Sequence, residues 1–97
     1  MRRIVWSNEA RREFIDAVAY IARDDQAAAR RMRGRIDAAV QGLSDRSTGR
    51  PGRVPGTHEK SVTGAPYIIA YAVDASTVTI LRVVHGARDW PRGQWPE

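Results

Sequence analysis

Apolar residues recur at helical spacing through the first half of the chain and at strand spacing through the second. Ala10, Phe14, Ala17, Val18 and Ile21 form one stripe at the 3.6-residue period. Asp24-Asp25 interrupts it, and a second stripe follows in Ala29, Met32, Ile36, Val40 and Leu43. Ser7 offers a hydroxyl to cap the first helix, Glu9 sits in its first turn where the helix dipole favours an acid, and Asp25 can cap the second. Two helices joined by about two residues fold back on each other as an αα-hairpin. Ahead of them, Ile4, Val5 and Trp6 make Arg3 to Trp6 a short strand.

Residues 45–56, DRSTGRPGRVPG, cannot continue a helix and read as a loop. Beyond it, Thr57–Val62 reads as a strand and Thr63-Gly64-Ala65-Pro66 as a turn. Tyr67–Val73 is a second strand, Asp74-Ala75-Ser76 a second turn, and Thr77–Val84 a third strand. Strands linked by short turns make an antiparallel meander. The order β-αα-βββ predicts one α+β domain over residues 1–97, a helical hairpin packed on one face of a small, mainly antiparallel sheet. The tail from His85 to Glu97, with two Trp and two Pro, forms at most a helical turn.

The strands are apolar on both sides, where a sheet with one wet face would alternate. Tyr67, Ile69, Tyr71 and Val73 point one way and Ile68, Ala70 and Ala72 the other. In the last strand Leu81 and Val83 oppose Ile80 and Val84. Both faces need cover, and the sequence supplies a single helical hairpin. Either the Trp-containing tail folds over the second face, or another protein chain does.

Composition narrows the function. A chain of 97 residues supports one core. It contains no cysteine, which excludes disulfides, thiolate nucleophiles and Cys-based metal sites. His58 and His85 are too far apart in sequence to suggest a metal pair, and no glycine pattern fits a nucleotide loop. No metal and no cofactor is expected. Neither a signal core nor an apolar run of about 18–20 residues is present, so the expectation is a cytoplasmic protein with no membrane partner. The net charge is +5, and it is uneven: residues 26–36 hold Arg30, Arg31, Arg33 and Arg35 with no acid. Such an excess suits nucleic acid or an acidic protein.

Several residues could carry chemistry. His85 at a strand end, with Arg88 nearby, could serve as acid or base beside a guanidinium that steadies a phosphate; equally, His85 could pack against the sheet edge while Arg88 pairs with Asp89. His58 and Lys60 share one strand face and Glu59 takes the other. Arg50 and Arg53 lie in a glycine-rich loop that could approach a phosphate or simply be solvated. On the second helix Arg31 and Arg35 stack at i,i+4. Arg82 is read on a face with Ile80 and Val84, so its head must snorkel or meet an acid, for which a partner's carboxylate is a candidate.

The element order resembles the RelE/ParE superfamily of bacterial toxins. So do the loop Gly49-Arg50-Pro51-Gly52-Arg53-Val54-Pro55-Gly56-Thr57-His58-Glu59, the segment Tyr67-Ile68-Ile69-Ala70-Tyr71 and the ending Ile80-Leu81-Arg82-Val83-Val84-His85-Gly86-Ala87-Arg88-Asp89-Trp90. The resemblance spans roughly residues 2 to 91. It implies the toxin of a toxin–antitoxin hetero-oligomer, wrapped by a cognate antitoxin laid across sheet and helices. Arg82, Tyr67, Ile69, Tyr71, Arg31, Arg35 and Trp90 are the expected antitoxin contacts. RelE-like members resemble ribosome-dependent mRNA endonucleases; a site of that kind would use His85, Arg88, Arg53 and Lys60. ParE-like members are linked to inhibition of DNA gyrase. Ile68 stands roughly where the nucleases place a catalytic Arg, and no Tyr follows His85. These departures favour the ParE-like branch.

Overall fold

A computed structural model describes residues 1–86. Strand β1 (Arg3–Trp6) leads into helices α1 (Asn8–Ala22) and α2 (Gln26–Gly42). Strands β2 (Arg50–Pro51), β3 (His58–Ser61), β4 (Tyr67–Val73) and β5 (Thr77–His85) follow. The sheet order is β1-β5-β4-β3-β2, with β1 parallel to β5 and every other pair antiparallel. The helical hairpin lies on one face, the α+β arrangement expected of the sequence.

Both anticipated helix caps form. Ser7 Oγ accepts from the Ala10 amide at 3.0 Å and Asp25 Oδ1 from the Ala28 amide at 3.0 Å, each satisfying an otherwise orphaned N–H. The two apolar stripes turn inward. Ala10 of α1 and Ile36 and Val40 of α2, with Leu43 just beyond it, pack on Ile69, Tyr71, Val78, Ile80 and Val83 of the sheet. Trp6 stacks on Phe14 at 5.3 Å between ring centroids, fixing the turn from β1 into α1.

Two features depart from the expected pattern. Residues 50 and 51 pair with Glu59 and His58 as a fifth strand inside the segment read as loop. Two residues carry no periodicity, and Pro51 is tolerated because it sits on a sheet edge. The second departure is a bulge. Tyr71 pairs with Ile80 but Ala70 pairs with Arg82, leaving Leu81 as the extra residue. Alternation therefore reverses along β5: Ile80 and Val83 both join the helix-side core, while Val84 joins Ala70 on the other side. The expected grouping of Ile80 with Arg82 and Val84 is thereby corrected.

The second sheet face also has an internal cover. Val54, from the loop after β2, packs with Ile68 over Ala70 and Val84. The Trp-containing tail, Arg88 and Trp90 included, lies outside the described residues.

Asp74 organises the β4–β5 turn. Its Oδ1 accepts from the amides of Ser76 at 2.9 Å and Thr77 at 2.8 Å, and these bonds hold its carboxyl below the usual carboxylate range. A folded-state pKa below the unfolded one adds stability at neutral pH that is lost as pH falls through the folded value. Asp74→Asn is therefore expected to flatten the acid limb of a plot of thermal midpoint against pH. An acid limb as steep as the parent's would contradict this role.

Candidate functional site

Three polar constructions are built onto this frame. The first centres on Glu59. In β3 it pairs with Ala70 of β4, so its side chain emerges on the face away from the helices, where it is 2% exposed. One carboxylate oxygen accepts from Arg50 Nη2 at 3.2 Å; the other accepts from the Arg53 amide at 2.9 Å and from Arg53 Nε at 3.3 Å. Both arginines remain about half exposed (53% and 45%), so the buried anion is neutralised from its solvent side. The loop is thus gripped at both ends of its Arg-Pro-Gly-Arg sequence, which seats Val54 on the sheet. Gly52 donates to the Thr57 carbonyl at 2.8 Å and closes the loop on itself.

The second construction lies on the helix side. The fully buried Tyr71 places its hydroxyl beneath the segment leading into β2, where it accepts from the Gly49 amide at 2.9 Å and bonds Ser47 Oγ at 3.0 Å. A Cβ at Gly49 would stand 2.6 Å from the Glu59 carbonyl oxygen and 2.5 Å from the Tyr71 hydroxyl, so only glycine allows this crossing. His58 stacks on the Tyr71 ring at 5.4 Å.

The third ties α1 to the edge of β5. β1 stops pairing at Ile80, and Ser7 and Glu13 take over beyond it. The Ser7 amide donates to the Ile80 carbonyl at 2.9 Å and Ser7 Oγ to the Leu81 carbonyl at 2.9 Å. Glu13 accepts from the Val83 amide at 2.9 Å and from Arg82 Nε at 2.8 Å. The acid that Arg82 was expected to need is supplied within its own chain, by Glu13.

The structure separates the residues the sequence grouped. Ile69 and Tyr71, expected to touch an antitoxin, are 0% exposed beneath the helices and present no surface. Tyr67 is half-buried and meets His85 edge-on at 5.6 Å. Arg31 is exposed on α2, and Arg35 donates to the Gly64 carbonyl at 2.6 Å. Of the residues a nuclease would use, Arg53 is held by Glu59 against one sheet face, whereas Lys60, paired with Ile69, stands on the other. His85 ends β5 on the same side as Tyr67. Glu13 and the Tyr71 hydroxyl were not foreseen as organising groups. Glu59 had a visible signal, being the lone acid on a face opposite His58 and Lys60.

Among the described residues no helix is long and apolar enough to cross a membrane. A helical hairpin on a five-stranded mixed sheet, with its second face capped by an arginine-bearing loop, defines a class of small α+β domains. A solved structure described as the chromosomal ParDE toxin–antitoxin system from P. aeruginosa superposes with a TM-score of 0.79, covering 88% of this chain and 96% of that one at 20% identity. That likeness concerns the fold. Sequence carries the family. The chain is 40% identical over 92 residues to a curated relative from Sinorhizobium fredii whose name reads "Putative toxin Y4kP", covering 94% of this chain and 95% of that protein. The sequence profile of the ParE toxin of the type II toxin–antitoxin system parDE matches residues 4–90. The chain belongs to the ParE toxin family.

Proposed function

We propose that this ParE-type toxin inhibits DNA gyrase when free and is neutralised by a tightly bound cognate antitoxin. Family membership over residues 4–90 carries the reading. The disposition of the polar side chains supports it. Ribonuclease chemistry without a metal needs an acid–base group and cations converging on one phosphate. Here Arg53 is committed to a buried carboxylate on one face of β3 and Lys60 projects from the other. A protein that acts by occupying its target needs no such convergence.

Purified gyrase, relaxed plasmid and ATP provide the test. Adding the toxin is expected to abolish supercoiling and to accumulate cleaved DNA, with translated mRNA left intact in cells that express it. Full supercoiling activity at a molar excess of folded toxin would overturn the gyrase assignment. Cleavage of translated mRNA, lost on His85→Ala, would move the protein to the nuclease branch.

A further inference from the structure

The outer face of α2 opposes the stability of its own helix. Arg30, Arg31, Arg33 and Arg35 crowd it, all exposed, and residues 26–36 contain no acid. Arg31 and Arg35 stand four apart and Arg30 and Arg33 three apart, so each pair repels along the helix. Among the described residues, Arg30, Arg31 and Arg33 form no ion pair. Gly34 sits among them in mid-helix, where glycine is destabilising, yet a Cβ added there would meet nothing within 4 Å. Its φ is not positive, so neither packing nor backbone geometry inside the fold calls for it.

The face has a definite shape. Ala29, Ile36 and Val40 are buried, so Ala27, Gly34, Ala38 and Gln41, at spacings of seven, four and three, form the opposite ridge. Arginines flank this ridge on both sides. Arg33 lies toward α1, lining a crevice with Phe14 and Val18, and Arg30 is one turn before it. Arg35 lies toward the sheet, donating to the Gly64 carbonyl, with Arg31 one turn before it. Asp25 and Asp37 bracket the run. The cationic stretch from Arg30 to Arg35 spans about 7.5 Å of helix axis, or about two phosphates of each strand of a duplex.

We propose that α2 enters the major groove of duplex DNA with this ridge foremost, irrespective of base sequence. That groove is about 12 Å wide and admits a helix. The small ridge residues allow a close approach, Arg30 and Arg33 meet one phosphate backbone, and Arg31 and Arg35 meet the other. Arg35 uses one of its donors on Gly64 and keeps the rest of its guanidinium for phosphate. Ala27, Gly34 and Ala38 carry no group that reads a base edge, so the contact is to the backbone. An acidic protein fits less well, since the ridge offers no large apolar side chain as an anchor. A-form RNA fits less well too, because its major groove is too narrow for a helix. The role of this surface rests on the reading of gyrase, an enzyme that works on a held duplex, as the target; it adds that the toxin touches that DNA.

The test is anisotropy of a fluorescein-labelled duplex of about 20 bp and mixed sequence, titrated with purified toxin without gyrase. About four phosphate contacts predict a slope of about −3 to −4 in log affinity against log salt concentration. Arg31→Gln should lessen that slope by about 1, whereas Arg11→Gln, on α1, should leave it unchanged. Gly34→Leu alters no charge and its Cβ meets nothing in the fold. It is expected to weaken binding about tenfold, with a thermal midpoint unchanged or raised. The same duplex made of RNA should bind at least about tenfold more weakly. Absence of binding at about 50 mM salt, an unaffected Gly34→Leu protein, equal losses at Arg11 and Arg31, or equal affinity for RNA overturns the proposal. So does displacement of the duplex by polyglutamate at equal charge, which would give the face to an acidic protein. Because gyrase is absent from the assay, the two readings fail separately. A toxin that poisons gyrase without binding the duplex defeats this inference alone; one that binds the duplex but spares gyrase defeats the proposed function alone.

Discussion

Glu59→Ala is expected to lower the unfolding free energy by about 2–4 kcal/mol, the range for removing a buried carboxylate that holds several charge-assisted hydrogen bonds. Arg50 and Arg53 are half exposed, so water rehydrates them once the anion is gone, which keeps the cost below that of stranding a fully buried charge. The loss has a definite location. Without the carboxylate, the loop carrying Val54 keeps only the backbone pairing of β2 and its own turn bonds, and the cover over Ala70 and Val84 loosens. For a domain of this size the thermal midpoint should fall by roughly 10–25 °C. Glu59→Gln keeps an acceptor for the Arg53 amide but turns an NH₂ toward a guanidinium, so it should fall between the parent and Glu59→Ala. Binding of a hydrophobic dye should rise in the same order. A Glu59→Ala protein as stable as the parent would mean that the loop is held by something else.

The second large effect is at Tyr71. Tyr71→Ala deletes a fully buried ring from the centre of the core and is expected to cost about 4 kcal/mol, the usual price of an aromatic-to-alanine cavity. A small domain with a total stability of roughly 5–15 kcal/mol is then close to unfolding at growth temperature. Tyr71→Phe keeps the ring and its stack on His58 and loses only the hydroxyl, leaving the Gly49 amide and Ser47 without that partner. Its expected cost is about 1–2 kcal/mol. Denaturant unfolding of both variants separates the contributions of ring and hydroxyl. Equal stability of the two would contradict the cavity argument, and a Tyr71→Phe protein indistinguishable from the parent would remove the hydroxyl from the account.

These two residues illustrate what a one-dimensional pattern does and does not reveal. The helices were legible because their stripes, Ala10 to Ile21 and Ala29 to Leu43, and their caps, Ser7 and Asp25, are local features. The meander was legible because its turns are short. The bulge at Leu81 was not. Ile80, Leu81, Val83 and Val84 are all apolar, so an inserted residue leaves no break in alternation to find. For the same reason unbroken alternation puts Arg82 on a face with Ile80, and nothing local signals its ion pair with Glu13, 69 positions away. The resemblance implies antitoxin contacts at Tyr71 and Ile69, but the strand is apolar on both sides and sequence alone does not say which side the helices take; here they cover these two. The Gly- and Arg-rich sequence of the Arg50–Arg53 loop suits a phosphate cradle or a solvated loop; its arginines instead turn inward to the one acid on that face of β3.

The central claim is that this fold, once free of a partner, is toxic through gyrase. Induced expression of the chain alone, in cells carrying either sensitive gyrase or a variant selected for resistance to the toxin, tests it most directly. The account predicts growth arrest with DNA damage in the first strain, normal growth in the second, and relief of the arrest on co-expression of the cognate antitoxin. Undisturbed growth of the first strain, with the protein soluble and folded at high level, would contradict it.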